Sequence, residues 1–204
     1  MDKKVIIIGA GGHAKVVADA VRKSGDLVIG FLDDHKPCGE SFCGAKILGK
    51  ISEYKGFADG SCFIVAIGSN PTRKRIVEEL DCQWYTAIHP SAVIGDGVRI
   101  GEGVFVAAGA VINADAVIEK HSIVNTCAVV EHDCLIGGFS HISPNAAVCG
   151  GCEIGELTWI GSGATVINGI NICDCVTVGA GAVVVKDIKE MGIFVGVPAR
   201  KLDK

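Results

Sequence analysis

A chain of 204 residues accommodates a modest domain plus an extended repeat, and 28 glycines with only 5% aromatic residues suit a narrow structure with many corners and little room for rings. The formal charge of −4, with its 19 Lys and Arg scattered rather than clustered, argues against a nucleic-acid-binding surface. No apolar stretch reaches the length of a membrane span, and the opening MDKKVIIIGAGGH reads as a strand entering a glycine turn, not as a secretory leader.

Residues 1–84 read as a short, Rossmann-like α/β domain with a parallel sheet. The apolar run Val5–Ile8 predicts a strand covered on both faces. The segment Gly9–Lys15 turns it into a helix expected to carry Val16, Val17, Ala20 and Val21 on one face and to close near Gly25. A second strand, Leu27–Leu32, ends at Asp33-Asp34, and a third is expected over Cys62–Ile67. Asn70 is the expected N-cap, and Pro71 the first residue, of a helix running through Leu80. The first loop fits G-x-G-x-x-A with an acid at the end of the second strand, which taken alone predicts a dinucleotide site. The domain is too short for a full NAD-binding fold, yet free N–H groups at a helix N-terminus still favour phosphate. The competing reading of the Asp33-Asp34 pair is a solvated turn before Lys36-Pro37.

From Ile88 to Val184 every sixth residue is Ile or Val, and the position two residues earlier is usually small, as at Ala92, Ala110, Ala128, Ser140 and Ala182. Neither an amphipathic helix nor an alternating strand keeps a period of six. Short strands joined by tight corners do, winding a parallel β-helix whose inward β-branched residues stack in ladders. The outward positions are chemically irregular, which argues against a passive scaffold or an ice-binding surface. Cys134 and Cys152 fall in the small inward slot. The sequence Cys149-Gly-Gly-Cys152 has no second pair to complete a zinc set, so no metal site is expected and reduced thiols in a cytoplasmic protein are.

Residues 86–185 resemble the hexapeptide-repeat acyltransferases. The resemblance implies a left-handed parallel β-helix in which three hexapeptides make one triangular coil, so that positions 18 apart stack at one strand spacing, ~4.8 Å. The expected boundaries are 1–84 for the front domain, 85–187 for the β-helix and 188–204 for a closing segment. Within the repeat, residues 125–151 read NTCAVVEHDCLIGGFSHISPNAAVCGG and bring Asn125, Glu131, His132, Asp133 and His141 into about one coil. His132 falls at or near a corner. Gly150 lies 18 residues on, so its N–H is a candidate oxyanion donor beside a candidate general base. A neutral imidazole suits removal of a proton near pH 7. Asp133 is placed to orient it, although adjacent residues on an extended strand tend to point apart.

The motifs GAGGHAK, the DD pair and IGSNPTRKR, together with NTxxxxEHD…SHI, are similar to those of bacterial sugar acyltransferases of the sialic acid O-acetyltransferase and UDP-4-amino-sugar N-acetyltransferase group. The resemblance implies that Gly11, Gly12, His13, Asp33 and Asp34 contact the substrate nucleotide. It makes His132 the base, Asp133 its partner and Asn125 a positioning residue, with His141 and Gly150 contacting acetyl-CoA. The implied activity is acetyl-CoA-dependent N-acetylation of a UDP-linked amino sugar, a 4-amino-4,6-dideoxyhexose, by direct transfer in a homotrimer with sites between neighbouring prisms. O-acetylation of sialic acid or another sugar hydroxyl is the alternative. A non-catalytic nucleotide-sugar sensor is disfavoured, because a binding module has no use for a base beside an oxyanion donor. Trp159, 18 residues beyond His141, either lines the pantetheine tunnel or covers a corner, and Ser162 stands where relatives can have an apolar residue. The end GIFVGVPARKL resembles the family's closing segment; there Lys186, Arg200 and Lys201 either meet CoA phosphates or form a solvated basic tail. His35, His89 and His121 are assigned no chemistry.

Overall fold

The computed structural model describes residues 2–202, so position 1 of the expected front domain and positions 203–204 of the closing segment lie outside the described residues. The front domain runs β1 (Lys4–Ile8), α1 (Gly12–Lys23), β2 (Leu27–Leu32), β3 (Ser41–Phe42), β4 (Ala45–Gly49), β5 (Cys62–Val65) and α2 (Asn70–Glu79). Its sheet has the order β3-β4-β2-β1-β5 and is parallel except for the β3–β4 hairpin. Val5–Ile8 are wholly buried, as the apolar run predicts. The period of two sends Val5 and Ile7 towards α1, while Ile6 and Ile8 pack with Tyr54 and with Ile76 of α2.

Four local expectations change. Val16 is 40% exposed, because the inward face of α1 is built on Ala14, Val17, Ala18 and Val21, a stripe that Val16 precedes by one 100° step. The third strand stops at Val65. Ser69, not Asn70, caps α2, its hydroxyl accepting from the Thr72 N–H, and Asn70 is freed for the work described below. The β3–β4 hairpin and a 3₁₀ turn at Ile51–Phe57 add elements that the Gly- and Lys-rich stretch 36–61 concealed.

Strands of two or three residues, from Ala87–Ile88 to Val183–Val184, each end on one aliphatic of the six-residue series. They pair in parallel at steps of 18, as in Val124↔Ile142, Ile112↔Val130 and Ile118↔Ile136, and so form three sheets, the faces of a triangular prism. One face, called here the docking face, carries Phe105, Ile123, His141 and Trp159 outward; the second carries Val111, Val129 and Ala147; the third carries Val117, Leu135 and Glu153. Inside, the aliphatics and the small residues two before them form one continuous core. Each fully buried Val or Ile contributes roughly 1.5–3 kcal/mol. Ile94 departs from the inward expectation at 37% exposed, since the first coil has no coil above it to cover it. The closing segment does not stand apart: Gly192–Val195 pairs with Val176–Val178, and Arg200–Lys201 pairs back on it, extending the docking face.

The small inward polar residues do more than fill space. Ser122, Cys134, Ser140, Cys152 and Thr158 each donate to the carbonyl 15 residues on, at 2.7–3.1 Å, stapling one coil to the next at its corner. Cys134 and Cys152 thus serve as hydrogen-bonding packing residues. Many corners turn through a residue with positive φ. At the corner between the third face and the docking face the sequence puts His121, Phe139 and Leu157 in this conformation (φ 55°, 57° and 59°), which bulky residues rarely adopt. That corner is where the front domain sits. His121 stacks on Phe139 at 5.2 Å, and Trp84 meets His121 edge-on at 4.9 Å. Arg73 of α2, 1% exposed, donates to the carbonyls of His121, Phe139, Ser140, Ile67 and Gly68 and to Asn70 Oδ1. Asn70 donates in turn to the carbonyls of Leu157 and Thr158. Tyr85, Ala87, Phe105 and Ile123 complete an apolar seam with α1.

Candidate active site

His132 stands on the corner between the second and third faces, following the strand Val129–Val130, and is largely exposed. Asp133 turns that corner with φ 58°. This left-handed step brings adjacent side chains together, so His132 Nδ1 and Asp133 Oδ2 lie 2.7 Å apart, overturning the expectation that they point away from one another. The bond puts the proton on Nδ1 and leaves the Nε2 lone pair free. It also raises the pKa of His132, the Asp133 hydrogen bond being the main cause. Gly150 lies directly over the ring: a Cβ there would come within 2.6 Å of Nε2, so only glycine leaves the imidazole where it is. Among the described residues no carbonyl accepts the Gly150 N–H. A free imidazole lone pair thus lies beside a glycine whose N–H has no carbonyl partner.

A second group gathers on the docking face. Asn125 Oδ1 accepts from the Thr126 N–H at 2.8 Å, which fixes the amide, and Asn125 Nδ2 lies 3.0 Å from His141 Nε2. The amide is the donor, so His141 is neutral with its proton on Nδ1. Burial, reinforced by the Arg73 charge, holds the His141 pKa at about 3. His13, at the start of α1, packs edge-on against Phe105 at 5.3 Å and lies 6.4 Å from His141. Burial and the Arg73 charge lower its pKa to about 4. His13 is therefore a neutral group at the domain junction. Trp159 stacks on the other side of His141 at 5.6 Å and 11°.

The glycine loop is open at its tip. Gly11 is the N-cap of α1, and a Cβ on Gly11 or Gly12 would meet nothing within 4 Å, so packing does not demand glycine at either position. Asp33 holds the loop from behind, accepting from the N–H groups of Ala10, His35 and Lys36 at 2.7–3.1 Å. Asp34 accepts from the Ile51 N–H and starts the 3₁₀ turn. Asp33 thus shapes the glycine loop, while the exposed Asp34 anchors the 3₁₀ turn.

The residues that the sequence places in one coil fall into two sites. Asn125 and His132 are seven positions apart, one hexapeptide plus one, and this carries them to different corners of the prism. The His132 corner is the edge opposite the docking face, so within one chain His132 and the Asn125–His141 pair look in different directions. Among the described residues no group of His, Cys, Asp or Glu is arranged to hold a metal ion, and no helix is long and apolar enough to cross a membrane.

The buried neutral histidines make an acid-sensitive junction. His13 and His141, with His121 (lowered to about 4 by burial, then by Arg73), all titrate below the unfolded value of 6.5. As pH falls below 6.5 the unfolded chain takes up protons that the native chain refuses. Stability is therefore full above that pH and is lost down to about pH 4 for His13 and His121 and to about pH 3 for His141, at up to about 1.4 kcal/mol per pH unit for each group. Urea midpoints measured between pH 7 and 5 should fall steeply, and a His121→Phe variant should show a shallower fall. Equal slopes would mean that these histidines are not the cause.

Residues 4–80 match the PglD N-terminal domain, and residues 85–114 match the bacterial transferase hexapeptide (six repeats). The acetyltransferase domain of PglB from Neisseria gonorrhoeae FA1090, solved in complex with acetyl coenzyme A, is 38% identical, with a TM-score of 0.94 over 99% of this chain and 100% of its own. The chain belongs to the hexapeptide-repeat sugar acyltransferases. A mutant of perosamine N-acetyltransferase from Caulobacter crescentus, solved with CoA and GDP-perosamine, is also 38% identical, with a TM-score of 0.93 over 98% of this chain and 97% of its own. UDP-N-acetylbacillosamine N-acetyltransferase of Bacillus subtilis (strain 168) is 37% identical over 100 residues, 45% of each protein. The chain spans less than half the length of the curated relatives it matches. In this sugar acyltransferase three residues near the sites escaped the sequence reading. Lys15 and Lys36 place their ammonium groups 6.0 and 5.3 Å from the centre of one ring, Phe42, beside the glycine loop. Arg73 lies within the IGSNPTRKR motif, three residues after Asn70, to which it bonds, but the motif assigned it no role.

Proposed function

We propose that this chain N-acetylates the amine of a UDP-linked amino sugar, a 4-amino-4,6-dideoxyhexose, using acetyl-CoA as co-substrate. The observation that carries the reading is the pairing of a polarised His132 with the uncovered Gly150 N–H, in a chain similar along nearly its whole length to an acetyltransferase domain and to an N-acetyltransferase. In the proposed step the amine attacks the thioester carbonyl and a C–N bond forms. His132 Nε2 takes the proton released from nitrogen, the Gly150 N–H stabilises the oxyanion, and the C–S bond breaks to release CoA. Asp133 holds the ring in the tautomer this needs. The nucleotide lies across the Gly11–Gly12 loop and the α1 N-terminus, with Lys15 beside its phosphates, Asp33 shaping the mouth, Asp34 next to it, and His13 between loop and acyl site. Acetyl-CoA follows the trough beside Ser143 and Gly161, below Asn125 and His141. An amine acceptor is favoured over a hydroxyl by the names of both N-acetyltransferase relatives.

Because the His132 edge points away from the docking face, the reading requires a second copy of the chain to bring a base to the Asn125–His141 pair. A homotrimer closes such contacts in a ring. Apolar side chains exposed on the second and third faces, Val93 at 58% and Leu135 at 39%, support a further covering surface. Ten free cysteines fit a reducing cytoplasm. The test is release of free CoA from acetyl-CoA in the presence of UDP- or GDP-linked 4-amino sugars or free sialic acid, with light scattering of the same sample. Turnover with the UDP amino sugar by a trimer is expected. Turnover only with the GDP sugar would overturn the nucleotide assignment, turnover only with sialic acid the amine assignment, and an active monomer the shared site.

A further inference from the structure

Trp159 stands where two clefts meet. One, of about 240 Å³, runs past Ser143, Gly161 and Gly179 on the corner that leads off the docking face. The other, of about 180 Å³, lies between the start of α2 and the opposite corner, among Ser69, Asn70, Leu157 and Cys175. Trp159 and Thr177 line both, so the indole is their common wall. The ring is held in two directions at once. It stacks on His141 at 5.6 Å, and its Nε1–H donates to Ser143 Oγ at 2.7 Å. A tryptophan that merely covered a corner would be buried by its neighbours, yet this one is 42% exposed and still fixed.

We propose that Trp159 selects the acyl group by size, closing the donor trough so that an acetyl group fits and a longer chain does not. The proposal rests on the acetyl-CoA reading given above. In that reading the thioester lies at Asn125 and His141, the polar pair at the head of the trough, which sets the acyl tail against the ring stacked beside them. An acetyl group ends there. Every added methylene needs space that the indole fills, and removing the ring joins the trough to the cleft on its other side. A single methylene in such a pocket changes selectivity by roughly 10–200-fold.

The test compares kcat/KM for acetyl-, butyryl- and hexanoyl-CoA with one nucleotide-linked amino sugar as acceptor, in the full chain. Wild type is expected to favour acetyl- over butyryl-CoA by ~100-fold or more. Trp159→Ala should bring the two within about tenfold by raising the butyryl rate, while Trp159→Phe, which keeps a stacked ring, retains the preference. Trp159→Leu stands in if the alanine variant does not fold. A common loss for all three donors in the alanine or leucine variant would show a packing role and overturn the proposal. No transfer by wild type from any donor would instead sink the acetyl-CoA reading itself, a result distinct from normal acetyl transfer with unchanged donor preference.

Discussion

Replacing His132 by alanine is expected to lower kcat by roughly 10²–10⁴, the range for a positioned general base, and to leave the unfolding midpoint unchanged. The side chain is 63% exposed and contributes little to the core. The pH profile separates this role from a binding one. Asp133 raises the His132 pKa, so in wild type the fall of kcat/KM on the acid side begins above the pH of an ordinary histidine. Asp133→Asn removes the charge that stabilises the imidazolium, and the inflection should move to lower pH while the plateau drops. Retention of more than about a third of wild-type activity by the alanine variant is incompatible with general-base catalysis. An unmoved inflection in the asparagine variant would mean that another group titrates.

Arg73→Met should cost about 3 kcal/mol or more, a large share of the 5–15 kcal/mol that holds a typical domain folded. Among the described residues no carboxylate pairs with Arg73; its charge is solvated by carbonyls of both structural units, and burial lowers its pKa only to about 9. It stays charged at neutral pH. Methionine fills similar space but leaves the His121, Phe139 and Ile67 carbonyls without donors, at about 1–3 kcal/mol for each buried unpaired group. Lysine should rescue poorly, since one ammonium cannot reproduce a planar fork of five N–H groups. Urea unfolding of the three proteins gives the comparison. A loss below about 1 kcal/mol for methionine would show that the clamp is dispensable.

The β-helix was legible because its period is enforced at every turn: an aliphatic missing from one sixth position leaves a hole in a ladder. The stacking of Gly150 on His132 followed from the same arithmetic. The His132–Asp133 contact did not, because it depends on the sign of one backbone angle that sequence spacing does not reveal. Nor did spacing show that Asn125 and His132 separate, since closeness along a coil and closeness on a face are different things in a prism. The clamp was hidden for another reason. Arg73 meets partners 48 and 66 residues away, and nothing local distinguishes it from its exposed neighbour Arg75. The β3–β4 hairpin, with one strand of only two residues, lies below the length at which hydrophobic alternation can be counted.

The ladder of 18 also limits how such a protein can change length. One residue removed from a coil turns every later inward side chain outward, and six removed rotate all that follows by one face, taking the Trp159 slot off the docking face. A whole coil, by contrast, can be lost or gained with each ladder intact, shifting everything beyond it by about one strand spacing, ~4.8 Å. The span between the docked front domain and the closing strands is therefore set in discrete steps. Altering the repeat by whole coils after Val178 would change the length of the prism while leaving His13, Asn125, His141 and Trp159 in their present register.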